Sequence, residues 1–352
     1  MNILTIGSAQ IKLLERLCNA VSVSGEEGEV RKIILEEVKP FADEVKVDAM
    51  GSVLVTKRGR GRNRLRVLLD AHMDEVGLMI VGEDGDGLYR FQTVGGIDPR
   101  HLAGKQVLVG REHKPGVIGV TPIHQLSGDA YTRTVDIDTL RIDLGPGGSA
   151  NVGDRATFAT RFRRAGPSIL SKAIDDRIGV AILIELLKHA PANMDLYLAF
   201  TVQEEVGLRG AIVAARTFCP DLAFVIDSTP ANDLPTHDGR ENIFYNTKLG
   251  CGPAIYTADS STFHDPRLVR FLQEIAEATG IPYQFRQPGG GGTNSGAIQL
   301  ACDGIPVVSV SVPHRYTHTA ISISRLDDWK NTLNLVHAAL GRVSKDVVAA
   351  RV

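Results

Sequence analysis

The run from Leu196 to Gly207, LYLAFTVQEEVG, constrains the fold more than any other stretch of this 352-residue chain. Its apolar and β-branched first half reads as a buried strand. That strand ends in two adjacent carboxylates, Glu204 and Glu205, and Gly207 marks a turn before an Ala-rich helix from Leu208 to Thr217. Carboxylates at the end of a buried strand are costly unless a positive charge lies against them, and no Lys or Arg is nearer in sequence than Arg209. A metal ion is the natural compensation, and neighbouring carboxylates that point differently could divide ligation from proton transfer. Taken alone, the pair could equally be a solvated cap on the helix N-terminus. The rest of the chain has to decide.

Around this strand the chain alternates strand-like and helix-like runs, which predicts a mostly parallel sheet covered on both faces by helices. Residues 9–20 have helical spacing, and Ser24 to Glu27 reads as a capping box opening a helix that runs to about Phe41. Val45 to Ala49 and Ser52 to Lys57 read as strands about a turn at Gly51, and Lys57 to Arg64 as an exposed hairpin loop. Leu65 to Leu69 is a strand ending in Asp70-Ala-His72-Met-Asp74-Glu75. From 75 to 162 the texture becomes Gly-, Val- and Thr-rich with short strands, which predicts a small β-barrel or sandwich inserted between the two parts of an α/β domain, 1–74 and 163–352. Further on come a helix from Asp175, a strand to Asp227, the glycine stretch Gly289 to Gly292, a helix over 294–302, and a strand leading through Pro313 to His318.

Several function classes drop out. A net charge of −2 gives no reason to expect nucleic acid or an anionic membrane as partner. Gly145 to Ala150 mimics a dinucleotide fingerprint but runs into Asn151-Val-Gly-Asp154 rather than a helix. There is no G-x-S-x-G elbow and no phosphate-binding P-loop. Cys18, Cys219, Cys251 and Cys302 lack paired spacing, so they read as small buried hydrophobes in a reducing compartment rather than a disulfide or zinc framework. Without a signal-peptide pattern or an apolar run near the roughly 18 residues of a membrane span, the expectation is a soluble, cytoplasmic protein.

Open α/β sheets bind ligands beyond the carboxyl ends of their strands. Four strands here finish in metal-type ligands: His72, Glu204 with Glu205, Asp227 and His318, while Asp175 opens a helix. Each alone has a bland explanation; together they suit zinc, cobalt or manganese. Two histidines and at least three carboxylates exceed the set of a mononuclear catalytic zinc, so two ions fit better than one. His314 competes with His318 but reads as a supporting or surface residue, and His101, His113 and His124 as structural or at the rim of the insert.

Asp70 to Gly77, Lys172 to Gly179, Thr201 to Ala211, Val225 to Asp227 and Arg315 to His318, together with Val94 to Asp98 and Pro122 to His124 in the insert, resemble the M42 metallo-aminopeptidases from about residue 9 to about residue 340. The resemblance implies that His72 and Asp227 hold one metal, Glu205 and His318 the other, and that Asp175 bridges. Glu204 would be general base and acid, and Asp74 would orient His72. It also implies peptide substrates, self-association into dimers, and a possible twelve-subunit particle. A carboxypeptidase or amide deacylase on the same metal scaffold is the alternative. The family usually has Gly-Thr-Asp where this chain has Gly292-Thr293-Asn294. Because the glycine stretch Gly289 to Gly292 can bring backbone close to a bound substrate and the next helix begins at Asn294, this residue is expected to face the substrate pocket and tune side-chain preference.

Overall fold

The structure is a computed structural model describing residues 3–128, 133–240, 242–243, 246–287 and 290–349. Side-chain alternation on the central strands sets its layers. In Leu222–Pro230, Leu222, Phe224 and Ile226 enter a large core, whereas Ala223 and Val225 enter a smaller one. In Leu65–His72, Val67 and Leu69 oppose Leu68; in Met194–Thr201, Leu198 and Phe200 oppose Ala199. Residues two apart share a face, so strands apolar on both faces must be covered on both. Helices Ser8–Asn19, Gly28–Val38, Ile174–Lys188, Pro266–Thr279 and Leu326–Leu340 pack into the large core. Arg209–Phe218 and the one-turn Ser295–Ile298 cover the other face, where Ala211, Ala214 and Ala215 permit close approach.

The sheet runs Glu44–Val47, Val53–Lys57, Met194–Thr201, Leu65–His72, Leu222–Pro230, Val307–Arg315, Ser322–Arg325, Ser168–Ser171, Arg163–Ala165, with Ala254–Ile255 and Gln284–Phe285 beside it. Met194–Thr201 through Val307–Arg315 form a parallel centre, and the strands flanking it on either side in that order pair antiparallel, whereas Ala254–Ile255 pairs antiparallel with Val307–Arg315 and parallel with Gln284–Phe285. A short connection that returns the chain at once makes one of these antiparallel pairs, at Gly51 between the first two strands. Lys57 to Arg64 is not a hairpin loop. It joins two strands lying on opposite sides of Met194–Thr201, and Arg64 Nε pins it to Asp195 at 2.7 Å.

Gly77–Gly85, Leu88–Val94, Arg141–Asp143, Lys114–Gly119, Gln106–Val109 and Arg155–Phe158 close into a barrel with its own core, including Leu78, Ile80, Phe91 and Ile142. Glu75, just before the barrel, accepts from Lys172 Nζ at 2.8 Å, Thr157 Oγ1 at 3.0 Å and the Ser22 amide at 3.0 Å, with Arg177 Nη2 at 3.3 Å. This buried carboxylate ties the N-terminal segment, the barrel and the helix after Asp175 together.

Three local expectations fail. Ser24 does not cap the second helix: Glu27 stands at the N-cap without a side-chain bond, and the Ser24 hydroxyl donates to Asp74 Oδ2 at 2.6 Å. Beyond Asn294 the helix is only Ser295–Ile298. The cysteines are not all unpaired, because Cys219 and Cys302 form a disulfide across 83 residues of sequence, with Cα atoms 6.0 Å apart. Cys219 ends the helix Arg209–Phe218 and Cys302 follows Ser295–Ile298, so packing these two helices on one sheet face brings the thiols together. The inference of a reducing compartment loses its cysteine argument. Cys18 is buried and free, and Cys251 is exposed. Among the described residues no helix is long and apolar enough to cross a membrane.

Candidate metal centre and active site

The site lies at the carboxyl ends of the parallel strands. His72 closes Leu65–His72, Glu204 and Glu205 follow Met194–Thr201, Asp227 lies in Leu222–Pro230, and His318 follows Val307–Arg315. The backbone around them is strained: Ala173, Gln203, Leu208, Tyr316 and His318 all have φ between 52° and 66°. Left-handed non-glycine residues cost on the order of 1–3 kcal/mol each and concentrate at functional sites. At Gly207, φ is 120°, and the Gly207 and Leu208 amides both donate to the Glu204 carbonyl at 2.9 Å, turning the two carboxylates into the cleft.

Asp175 occupies the middle. Its Oδ1 is 3.1 Å from His72 Nε2 and its Oδ2 is 3.4 Å from His318 Nε2. Asp227 Oδ1 lies 3.8 Å from His72 Nε2, and Glu205 Oε2 lies 3.1 Å from His318 Nε2. Ligand atoms converge within 4.8 Å in three sets: His72, Asp175 and Asp227; Asp175, Glu205 and His318; and His72, Glu204 and Glu205.

The electrostatics show a deficit of positive charge. Burial pushes the Glu204 carboxyl well above its ordinary value, and the neighbouring Glu205 adds to this against the pull of His72. Asp227 is likewise raised, by burial and then by Asp175. Burial opposes charge on His72, but Glu204, Asp175 and Asp74 outweigh it and hold the imidazole well above its usual range. His318 is pushed up to about 11, its burial overcome by Glu205 and Asp175. Glu205 Oε1 is buried without a hydrogen-bond partner among the described residues. Four converging carboxylates, two imidazoles and an orphaned carboxylate oxygen form a donor set that fits divalent cations.

Supporting contacts orient these groups. Asp74 Oδ1 is 3.5 Å from His72 Nδ1, too long for a good hydrogen bond. Its firmer partners are the Glu204 amide at 3.0 Å, the Glu205 amide at 3.3 Å and Ser24, so Asp74 chiefly holds the turn that carries the two glutamates. His318 Nδ1 donates to the Gly96 carbonyl at 2.8 Å, which leaves Nε2 facing Asp175 and Glu205. The chain just beyond barrel strand Leu88–Val94 thus holds this imidazole in place, a contact that sequence reasoning missed. Gly95 has φ 84°, and a side chain there would come within 2.7 Å of Val76 and 3.3 Å of Glu205.

Asn294 contradicts its expectation. It is 1% exposed on the smaller-core face of the sheet, donating through Nδ2 to Asp70 Oδ1 at 2.6 Å and Thr201 Oγ1 at 2.8 Å. It is not among the residues lining the cavity, and its amide is committed to Asp70 and Thr201 instead. His314 is fully buried and lies 2.5 Å from Thr317 Oγ1; burial pushes its imidazole down to about 4. His101 and His124 are exposed and outside the cavity, and His113 pairs with Glu29 at 2.5 Å. The cavity, about 490 Å³, is lined beyond the ligands by Tyr256, Ser260, Ser261, Arg286 and the described end of the glycine stretch, among others. Of these only the glycine stretch had been singled out from sequence; for Arg286 the available signal was a lone Arg two residues before Pro288 and the glycines.

A family profile described as M42 glutamyl aminopeptidase matches residues 51–335. The chain belongs to that family. It is 35% identical to a putative aminopeptidase of Acetivibrio thermocellus over 335 residues, covering 93% of this chain and 97% of that protein. Among solved structures, aminopeptidase APDkam598 from the archaeon Desulfurococcus kamchatkensis superposes with a TM-score of 0.91 at 32% identity, covering 97% of each chain. The TET1 peptidase of Pyrococcus horikoshii, described as assembling into a tetrahedron or a large octahedral shell, is similar with a TM-score of 0.82 at 35% identity, covering 94% of this chain and 98% of that one. Family membership makes this M42 chain a metal-dependent aminopeptidase, a hydrolase acting at peptide N-termini.

Proposed function

We propose that the protein is a dinuclear metallo-aminopeptidase in which His72 and Asp227 hold one ion, Glu205 and His318 hold the other, and Asp175 bridges. The observation that carries this reading is that two of the three convergent ligand sets share Asp175 alone, with one oxygen toward each imidazole. Zinc, cobalt or manganese would suit these donors. Two such cations would polarise the scissile carbonyl and lower the pKa of an attacking water toward roughly 7.

Glu204 stands outside both Asp175-centred sets, with its carboxyl raised by burial. It is suited to take a proton from water and return it to the leaving amine. Asp74 keeps that carboxylate in register through the Glu204 and Glu205 amides. Residues 75–162 would serve as an inserted domain for assembly and access, and the shells described for the TET1 relative support self-association; in this reading the assembly runs from dimers up to a twelve-subunit particle. Peptides able to enter such a particle would be the substrates. A cytoplasmic location belongs to the same proposal.

The test is to strip metals, add zinc, cobalt or manganese back singly, and assay free aminoacyl-anilides against N-blocked and C-terminal substrates. Activity restored only on free N-termini, with two equivalents of metal, supports the proposal. Full activity with one equivalent overturns the dinuclear centre. Cleavage restricted to C-terminal residues or N-blocked amides overturns the aminopeptidase assignment.

A further inference from the structure

The four carboxylates among the described lining residues all belong to the ligand cluster. Arg286 is the only Lys or Arg among the described lining residues. It is 3% exposed, and its guanidinium lies over the Tyr256 ring with Cζ 4.7 Å from the centroid. Its protein partners are all neutral: the carbonyls of Gly290 at 2.5 Å, Gln287 at 3.4 Å and Ala258 at 3.5 Å. Arg286 Nε is buried with no hydrogen-bond partner among the described residues. Asp259, next to Ser260 in sequence, is occupied by Ser261 Oγ at 3.0 Å and by His264 Nε2 at 3.4 Å. Among the described residues, then, no carboxylate neutralises this cation.

A buried, permanently charged guanidinium without a counter-ion is expensive. Its flat fork favours planar two-oxygen anions. Stacking on Tyr256 fixes the plane of the fork and supplies part of the missing stabilisation. Ser260 and Ser261, also lining the cavity, add neutral hydroxyls without competing charge.

We propose that Arg286 is a specificity residue that receives a carboxylate of the substrate. This inference rests on the aminopeptidase reading. The chemistry has two possible sources, an acidic side chain on the N-terminal residue or the free C-terminus of a very short peptide. Arg286 does not take part in bond cleavage; it selects which peptide is held with its scissile bond at the ligand cluster.

The experiment compares charged and isosteric uncharged substrates on the metal-loaded protein. Glutamyl- and glutaminyl-anilides test the side chain; alanyl-alanine and alanyl-alanine amide test the C-terminus. Calorimetric titration with free glutamate and glutamine provides a readout that does not need turnover. The native protein should favour the charged member of at least one pair by roughly 10–100-fold in kcat/KM, the scale of a charge-assisted hydrogen bond. Arg286→Gln should bring that ratio near one, and Arg286→Lys should restore part of it.

Loss of preference in the anilide pair assigns the acidic side chain, and loss in the dipeptide pair assigns the C-terminus; either supports the proposal. If Arg286 merely anchors the glycine segment through Gly290, both members of each pair fall together. That result, or a native protein indifferent to charge in both pairs and in the titrations, overturns it. A native protein that releases no N-terminal residue from any substrate would instead refute the aminopeptidase reading on which it stands.

Discussion

Asn294 Nδ2 donates to Asp70 Oδ1 at 2.6 Å, joining residues 224 apart in the buried layer beneath the Glu204 turn. The contact makes Asn294 part of the scaffold that fixes the ends of two central strands. Asn294→Asp should therefore leave the ratio of activities on basic and acidic aminoacyl-anilides unchanged. Its effect should fall on stability, because two buried carboxylates in contact must share a proton. The loss should be small at pH 5, where the introduced carboxyl is protonated and can still donate to Asp70, and roughly 1–3 kcal/mol larger at pH 8. Denaturant titrations at both pH values, beside the substrate panel, check this; a changed substrate ratio would return the residue to the pocket.

Asp70 itself should give the native protein a pH-dependent weakness. Burial raises its carboxyl to about 7, with Asn294 only partly opposing. The folded state then binds the proton more tightly than the unfolded chain, whose Asp titrates near 3.9. The resulting stability is complete below about pH 4 and is lost as pH rises through 7, on the order of 3–4 kcal/mol over the full window. Asp70→Asn keeps an oxygen to accept from Asn294 and removes the titration. In metal-stripped protein, the decline in urea midpoint between pH 5 and pH 8 should be shallower in this variant.

Glu75, Lys172 and Arg177 should act as one buried unit. Burial pushes the Glu75 carboxyl up, and the charges of Lys172 and Arg177 more than reverse this, holding it below its ordinary value. Removing one member of such a buried group costs roughly 3–5 kcal/mol through the charge left behind. Lys172→Met should lower the melting temperature clearly, whereas the exposed pair Arg58–Glu44, 3.4 Å apart, should tolerate Arg58→Met with no measurable change. Equal melting temperatures for the two variants would refute the unit.

The thiols should divide into three classes. Burial pushes the Cys18 thiol up to about 11, while Cys251 is exposed and Cys219 is bonded to Cys302. Only a thiolate attacks an alkylating reagent. Mass spectrometry of unreduced protein should show one label when native, at Cys251, and two when denatured. Four labels should appear after denaturation and reduction. Four labels without reductant would mean that the disulfide does not form.

The strand-end residues of the cluster were legible because a buried apolar run that stops in His or a carboxylate is rarely free of chemistry, and parallel strands bring such ends together. The barrel was legible from its change in texture near Glu75. What escaped were contacts with no local signal. Ser24 carries the pattern of a helix cap, yet Asp74, 50 residues away, claims its hydroxyl. The Gly96 carbonyl has no side-chain chemistry to notice, and the partners Cys219 and Cys302 meet only after two helices pack on one sheet face. Asn294 was misread because a glycine-rich approach does not say which face of the sheet the next residue meets.

Glu204 and Glu205 are alike in sequence and both held through their amides by Asp74, yet their carboxylates face different neighbours. Glu205 Oε2 lies 3.1 Å from His318 Nε2, and the residue belongs to an Asp175-centred ligand set; Glu204 belongs to neither such set. Glu204→Gln should therefore keep both metals and bind substrate, while kcat falls by roughly 10²–10⁴ or more, the usual contribution of general acid–base catalysis. Glu205→Gln should lose one equivalent of metal and recover part of its activity when metal is added in excess. Metal content, inhibitor affinity and kcat on both variants decide the matter. If Glu204→Gln sheds metal while Glu205→Gln retains both, ligation and proton transfer are exchanged between the two side chains.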